Sequence, residues 1–342
     1  MAPENGCCTR GNDLEEHFAR LRGGFAGRSS RGLRWRSAAV LTLLIVAGCG
    51  RGAPPVETMA DPSPPPGVLT VGSVSLNPAQ EHEVFRPFVD YLVSRLGPVG
   101  IGHGRIEVVD SLNRMVTELD SGRVDIYIDS PFPTGFVLQN CDVTVLLRRF
   151  KRGAEAYRSV IFVRKDAGIK TLGALKGRMM AFGEPFSTSG YLMPKAILLS
   201  AGFKLTHLTD AAAPVREDEI GYVFSNDAEN TMVWVLKGKV AAGSVNEDYF
   251  EALAGNRLSE LEVIRRSDPM PRNIVSARGD LDPAVARAIA GVLLSMDEDA
   301  EGRAVLNAFE ETSRFEPFPR GVEETLAPVM DMLVYVRDDF GQ

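Results

Sequence analysis

Ala181-Phe182-Gly183-Glu184-Pro185-Phe186-Ser187-Thr188-Ser189-Gly190-Tyr191-Leu192-Met193-Pro194 carries a change from strand to helix within fourteen residues. An apolar strand ends at Phe182, Gly183 and Pro185 turn the chain, and three hydroxyl residues lead into an apolar helix reaching about Ala201. The first N–H groups of a helix have no partner inside it and lie at the positive end of its dipole. They can therefore receive an oxyanion without a formal positive charge. Ser187, Thr188 and Ser189 add hydroxyl donors, and Gly190 allows close backbone approach. Pro194 removes one early intrahelical bond and loosens the first turn. The same residue types also serve as plain N-caps, whose hydroxyls satisfy those N–H groups internally. Taken alone, the segment is compatible with either role.

Working outward, short apolar runs alternate with helical periodicity, the pattern of an α/β fold with a largely parallel sheet. Val68 to Val74 reads as a strand, and Val84, Phe88, Leu92 and Leu96 recur every four residues on one helix face. Ile106 to Val109 and Val124 to Ile128 are further strands, separated by the stripe Leu112, Met115, Val116 and Leu119. A second series holds strands at Val160 to Arg164 and Met179 to Phe182, the helix after Ser189, a helix around Asn230 to Lys237 and a short strand near Val240. Val285, Ile289, Val292, Leu293 and Met296 line a later helix, and Val322, Leu326, Met330 and Leu333 a last one, where Pro328 predicts a kink or a later start. Two such series in 342 residues predict two lobes.

Composition bounds the function. With a net charge of -7 and a pI near 5.3, the chain lacks the basic balance of a nucleic-acid binder. Before Cys49, Arg28, Arg31, Arg34 and Arg36 form a basic region, and an apolar stretch from Ala38 to Ala47 ends in Val46-Ala47-Gly48-Cys49. That stretch is too short for a hydrocarbon core needing about 20 residues, so residues 1–48 read as a signal peptide. The small residues before Cys49 resemble a bacterial lipobox, which predicts lipidation of Cys49 and an exported lipoprotein at the periplasmic face or cell surface. The segment before Arg28 is long for a signal peptide, so the translation start is expected further downstream. Cleavage would remove Cys7 and Cys8, leave Cys141 as a lone free thiol and shift the net charge from -7 to -10. Residues 49–67, with Pro54, Pro55, Pro62, Pro64, Pro65 and Pro66, read as an extended tether.

Several stretches then occur in a telling order. Tyr157-Arg158-Ser159-Val160-Ile161-Phe162-Val163-Arg164-Lys165-Asp166 is followed by Thr171-Leu172-Gly173-Ala174-Leu175-Lys176-Gly177 and the Ser-Thr-Ser-Gly turn. Gly238-Lys239-Val240, Val263 to Pro271 and Asp280-Leu281-Asp282-Pro283 come after it. In these motifs the chain resembles the phosphate/phosphite/phosphonate-type periplasmic solute-binding proteins of ABC transporters. The resemblance implies a two-lobed type II periplasmic-binding-protein fold, α/β throughout, with a ligand cleft between the lobes. Lobe one would comprise residues 68–152 plus 272–342, and lobe two residues 153–271. Ser187, Thr188, Ser189 and Gly190 would hold a small oxyanion, and Tyr157 in the matching stretch joins them. It further implies a monomer with no cofactor, no metal and no nucleic acid, working with an ABC permease. The same fold serving a sensor kinase, or taking a sulfonate, is the alternative.

Two departures from the family pattern matter. Ala241 stands where many relatives carry an acid able to pair with a ligand ammonium, which argues against an aminophosphonate. After Asp125 the chain reads Ile-Tyr-Ile-Asp129-Ser130-Pro131-Phe132-Pro133-Thr134, where relatives often place a Gly-Pro turn and a tyrosine. Asp129 and Ser130, at a strand end facing a crevice, are the natural replacements; Asp129 would either accept a proton from a partly protonated oxyanion or cap the next helix. Asn77, after the first strand, is a further candidate. Asp227 and Glu229 read as first-turn carboxylates, Trp234 as core, and Arg148, Arg149, Lys151 and Arg152 as a solvated face. His82, His103 and His207 have no metal-ligand spacing. No Gly-x-Ser-x-Gly, Ser-x-x-Lys or His-Glu-x-x-His motif supports catalysis, so a binding protein is expected rather than an enzyme.

Overall fold

The computed structural model describes residues 67–341. The expected signal peptide, Cys49 and nearly all of the tether lie outside them. The chain begins with β1 (Val68–Val74), α1 (Pro78–Ser94), β2 (His103–Val109), α2 (Leu112–Asp120), β3 (Ile126–Asp129), α3 (Pro131–Asn140) and β4 (Val143–Lys151). A short strand β5 (Ala156–Tyr157) leads to β6 (Ser159–Arg164), β7 (Met179–Phe182), α4 (Met193–Ser200), β8 (Lys204–His207), β9 (Glu219–Phe224), α5 (Ala228–Leu236), β10 (Ala242–Asn246), α6 (Glu247–Ala254) and β11 (Leu261–Arg266). The return passes through β12 (Met270–Pro271) to β13 (Asn273–Arg278), α7 (Pro283–Ser295), α8 (Ala300–Ala308), β14 (Thr312–Glu316) and α9 (Val322–Leu333).

These strands build two six-stranded sheets, in the orders β14-β4-β13-β3-β1-β2 and β11-β6-β10-β7-β9-β8. Each has a parallel part, β2-β1-β3 in the first and β10-β7-β9-β8 in the second, extended by antiparallel strands. The chain therefore leaves the first sheet after β4 and returns to it at β13. The two crossings meet where β5 pairs antiparallel with β12, Tyr157 opposite Met270 and Ala156 opposite Pro271.

The apolar runs explain the strands. Leu69 and Val71 in β1, and Ile161, Phe162 and Val163 in β6, are essentially inaccessible, and each fully buried side chain of this size contributes about 1.5–3 kcal/mol. The buried face of α1 is made by Phe85, Phe88, Val89 and Leu92, one step round from the expected stripe, and Val84 is half-buried. The last helix starts at Val322 and carries Pro328 inside it. At the junction, Phe132 and Phe136 of α3 share one apolar cluster with Phe182, Tyr191 and Leu192 and with Leu333 and Phe340 from the C-terminal segment. Phe340 packs on Phe136 at 4.8 Å between ring centroids, and Asp339 pairs with the buried Lys195 ammonium at 2.5 Å. Among the described residues, no helix is long and apolar enough to cross a membrane.

The basic run at the end of β4 corrects the expectation of a solvated face. Arg149 is 1% exposed. Its Nε donates to Thr312 Oγ1 and its Nη2 to the Phe309 carbonyl, both at 2.7 Å, while Glu310 pairs with Arg149 at 3.0 Å and Lys151 at 2.7 Å. The guanidinium also stacks on the Phe309 ring at 3.9 Å. A guanidinium buried in this way is satisfied by partners more than a hundred positions along the chain, which local charge patterning cannot reveal.

Candidate functional site

The turn after β7 departs from an ordinary helix start. Ser187 is the N-cap, and its Oγ accepts from the Gly190 N–H at 3.0 Å. Gly190 keeps this cap in place, since a Cβ would lie 2.8 Å from that oxygen and force it to shift. The next amides, Tyr191 and Leu192, both donate to the Ser187 carbonyl, and Met193 donates to that of Thr188, so the first turn is wound in the wide i→i+5 register. In that register the Ser189 carbonyl would await the amide of residue 194, but Pro194 has none. Ser159 Oγ and Ser244 Oγ occupy the vacancy, donating to the Ser189 carbonyl at 2.6 and 3.1 Å. The N–H groups of Thr188 and Ser189 are left without an acceptor among the described residues. Thr188 is 2% and Ser189 9% exposed, so these donors are largely withdrawn from solvent.

Facing this turn is the start of α3 in the first lobe. Its N-cap, Ser130, makes no side-chain cap, and Pro131 and Pro133 contribute no N–H. The Phe132 amide instead donates across the junction to Thr188 Oγ1 at 3.2 Å. Thr188 Oγ1 donates to Ser130 Oγ at 2.9 Å, and Ser130 Oγ donates to Asp129 Oδ1 at 3.0 Å. Asp129 also accepts from the Ser130 amide and from the Tyr127 hydroxyl, each at 2.6 Å. Two helix N-termini from different lobes thus meet through one line of hydroxyls that ends on a carboxylate.

The electrostatics of the two walls differ. Burial pushes the Asp129 carboxyl up to about 6, although Tyr127 and Ser130 hydrogen bonds oppose the rise. Glu81 of α1, which accepts from Ser73 Oγ at 3.0 Å, is pushed up to about 7, again chiefly by burial, with Glu310 and Asp129 adding repulsion. Glu184, just before the turn, is raised by burial and by Asp227 and Asp129. Burial alone would also raise Glu310, but the cations of Arg149 and Lys151 hold it down to about 2. No basic side chain pairs with Asp129 among the described residues.

Of the residues singled out in the sequence, Ser187, Thr188, Ser189, Gly190, Ser130 and Asp129 come together here. Tyr157 lies at the crossover, 8% exposed, where burial raises its hydroxyl pKa and its oxygen interacts with Thr188. Arg272 stacks on its ring at 4.7 Å. Asn77 is exposed and serves as the N-cap of α1, engaged with Gln80; among the described residues it makes no hydrogen bond to the turn. Asp227 caps α5 through the Asn230 amide at 2.5 Å. Trp234 is only half-buried, with the Lys239 ammonium 3.3 Å from its ring centroid. Sequence reasoning missed Glu81 and Glu184, as well as the supporting pair Ser159 and Ser244. Pro194 was the one local signal for that pair, because a proline in the first turn strands a carbonyl.

Two sheets joined by a paired crossover, with helix N-termini meeting where the lobes touch, make the two-lobed α/β fold of the type II periplasmic binding proteins. A family model described as "ABC transporter, phosphonate, periplasmic substrate-binding protein" matches residues 73–319, and the chain belongs to that family, one of transport proteins rather than enzymes. It is 30% identical over 154 residues to a probable ABC transporter phosphite binding protein, PhnD1, of Prochlorococcus marinus (strain MIT 9301), an alignment covering 41% of this chain and 49% of that protein. The PhnD1 structure in complex with methylphosphonate gives a TM-score of 0.59 at 20% identity, covering 80% of this chain and 98% of that one. The phosphonates-binding periplasmic protein of Escherichia coli (strain K12) is 27% identical over 197 residues, covering 54% of this chain and 52% of that protein. The chain thus spans about half the length of the curated relatives it matches. A solved structure of XAC2383 from Xanthomonas citri, bound to chloride ion, gives a TM-score of 0.75 at 28% identity, covering 80% of this chain and 99% of that one.

Proposed function

We propose that this chain captures a small phosphorus oxyanion of the phosphonate, phosphite or phosphate class and delivers it to an ABC permease. The observation that carries the reading is the pair of acceptorless, largely buried amides of Thr188 and Ser189, set against the N-terminus of α3. Buried donors of this kind cost about 1–3 kcal/mol each when left unmet, so a site that keeps them is built for an exchangeable acceptor. Ser187 and Gly190 form the same turn, Ser130 and Asp129 stand across from it on the hydroxyl line, and Tyr157 touches Thr188; Asn77, engaged in capping α1, is the one sequence candidate that this cluster does not need. Family membership and relatives named for phosphite and phosphonate support the ligand class.

In this reading residues 68–152 plus 272–342 form one lobe and 153–271 the other, with β5 and β12 as the hinge. The protein works as an exported monomer held to the membrane by lipidated Cys49, with residues 49–67 as the tether. Replacement Cys49→Ser is expected to release it from membranes; unchanged membrane association would remove the anchor from the account. A thermal-shift panel of methylphosphonate, phosphite, phosphate, sulfate and methanesulfonate tests the ligand class, since a ligand selective for the folded state raises Tm. A rise with at least one phosphorus acid is expected, and no response from any of the three would refute the reading.

A further inference from the structure

The hydroxyl line between the lobes has a direction, and that direction says something about the ligand. An ionised carboxylate only accepts hydrogen bonds. Ser130 has one hydroxyl proton and spends it on Asp129 Oδ1 at 3.0 Å; Thr188 has one and spends it on Ser130 Oγ at 2.9 Å. With Asp129 ionised, both protons point away from the turn, and a fully ionised ligand oxygen approaching either hydroxyl meets lone pairs. The mismatch disappears when one proton is added. If the ligand holds it, a P–OH donates into the line. If Asp129 holds it, the line reverses: Asp129 donates to Ser130, Ser130 to Thr188, and Thr188 to the ligand.

We propose that capture is proton-linked through Asp129: the closed site holds one proton shared between this carboxylate and the bound oxyanion. It thereby favours phosphorus acids, which bring that proton with them near neutral pH, over sulfate and sulfonates, for which Asp129 must first take one from solvent. The proposal rests on the oxyanion reading of the turn and adds to it the protonation state that the site takes.

The surroundings favour the proton. Facing Asp129 are Tyr127 from its own strand, Glu81 from α1, Glu310 from the turn before β14, Glu184 from the second lobe and Tyr157 from the crossover. The cations of that end of the sheet are already engaged, Arg149 and Lys151 with Glu310 and Arg272 with Asp248. Among the described residues no cation pairs with Asp129, so a second negative charge brought by a ligand adds to its repulsion and the carboxyl pKa near 6 moves further up as the ligand arrives.

Calorimetric titration of the purified protein with methylphosphonate, in two buffers of different ionisation enthalpy, reads the proton directly. At about pH 8.5, where the free ligand is mostly doubly ionised and Asp129 is ionised, the wild type should take up close to one proton per ligand, and affinity should fall about tenfold per further pH unit. Asp129→Asn should flatten the pH profile, reduce the uptake to near zero and improve methanesulfonate binding by about tenfold or more. Methylphosphonate binding without proton uptake and with a flat pH profile in the wild type would overturn the proposal, as would uptake that persists in the variant. Should the variant not fold, the wild-type buffer series decides by itself. Failure of methylphosphonate, phosphite and phosphate all to bind would overturn the oxyanion reading, and the proton linkage with it.

Discussion

Asp129 and Glu310 stand at the same end of the first sheet, yet their carboxyls are driven in opposite directions, one up to about 6 and the other down to about 2. Both are partly buried, and burial pushes both carboxyls upward, so burial does not separate them. What separates them is company: Glu310 has two cations within 3.0 Å, whereas Asp129 has a phenol, a hydroxyl and an amide. A carboxylate with fixed countercharges is a staple. One held by neutral donors alone keeps capacity for a partner that comes and goes. The staple ties the end of β4 to the turn before β14, while the carboxylate held by neutral donors stands where the hydroxyl line crosses to the second lobe.

The largest effect should come from the staple. Glu310→Gln leaves the Arg149 guanidinium buried beside a neutral group and should cost on the order of 3 kcal/mol, the lower end for a broken buried pair because Glu310 is itself 37% exposed. Chemical denaturation at neutral pH checks this. Because the folded pKa of Glu310 lies below its ordinary value, its contribution is present at neutral pH and is lost as pH falls from about 4.5 through about 2. The variant should lose that part of the acid limb. A variant as stable as the wild type would mean that the two carboxylates do not differ in kind.

Thr188→Val acts on the other side of the comparison. It removes the hydroxyl that accepts from the Phe132 amide and donates to Ser130, and methylphosphonate affinity measured by calorimetry should fall about tenfold or more. The fold should survive, since the hydroxyl lies at the junction rather than within either sheet.

A smaller effect is expected at Glu81. Its folded pKa, raised to about 7, means that the folded protein holds a proton the unfolded chain has released, so the stability this proton gives is lost as pH rises from about 4.5 through about 7. Glu81→Gln removes the penalty and should raise the Tm of the ligand-free protein by about 2 °C or more at pH 8, with little change at pH 4. An unchanged Tm at both pH values would show that Glu81 is fully solvated and plays no part in the acidic wall.

How much of this was legible in the sequence follows the same division. Val68 to Val74 and Met179 to Phe182 are strands with the boundaries that their apolar runs predict, because those runs end at Ser75 and Gly183. The Ser187 to Gly190 turn was legible because its chemistry is local. β4 was not: Arg148-Arg149-Phe150-Lys151 looks like a solvated run, and only Phe309, Glu310 and Thr312, about 160 positions away, make it a buried strand end. The role of Asp129 was half legible. The sequence left proton acceptor and helix cap both open, and in the structure Ser130 is the cap residue while Asp129 terminates the hydroxyl line. Glu81 was invisible, since a glutamate in the first turn of a helix is unremarkable until burial raises it.

The most direct measurement is a crystal structure of the protein soaked or co-crystallised with methylphosphonate. The account predicts phosphonate oxygens about 3 Å from the Thr188 and Ser189 amide nitrogens, with a further oxygen reaching the Ser130 to Asp129 line. Ligand bound elsewhere, with those two amides still lacking an acceptor, would contradict it.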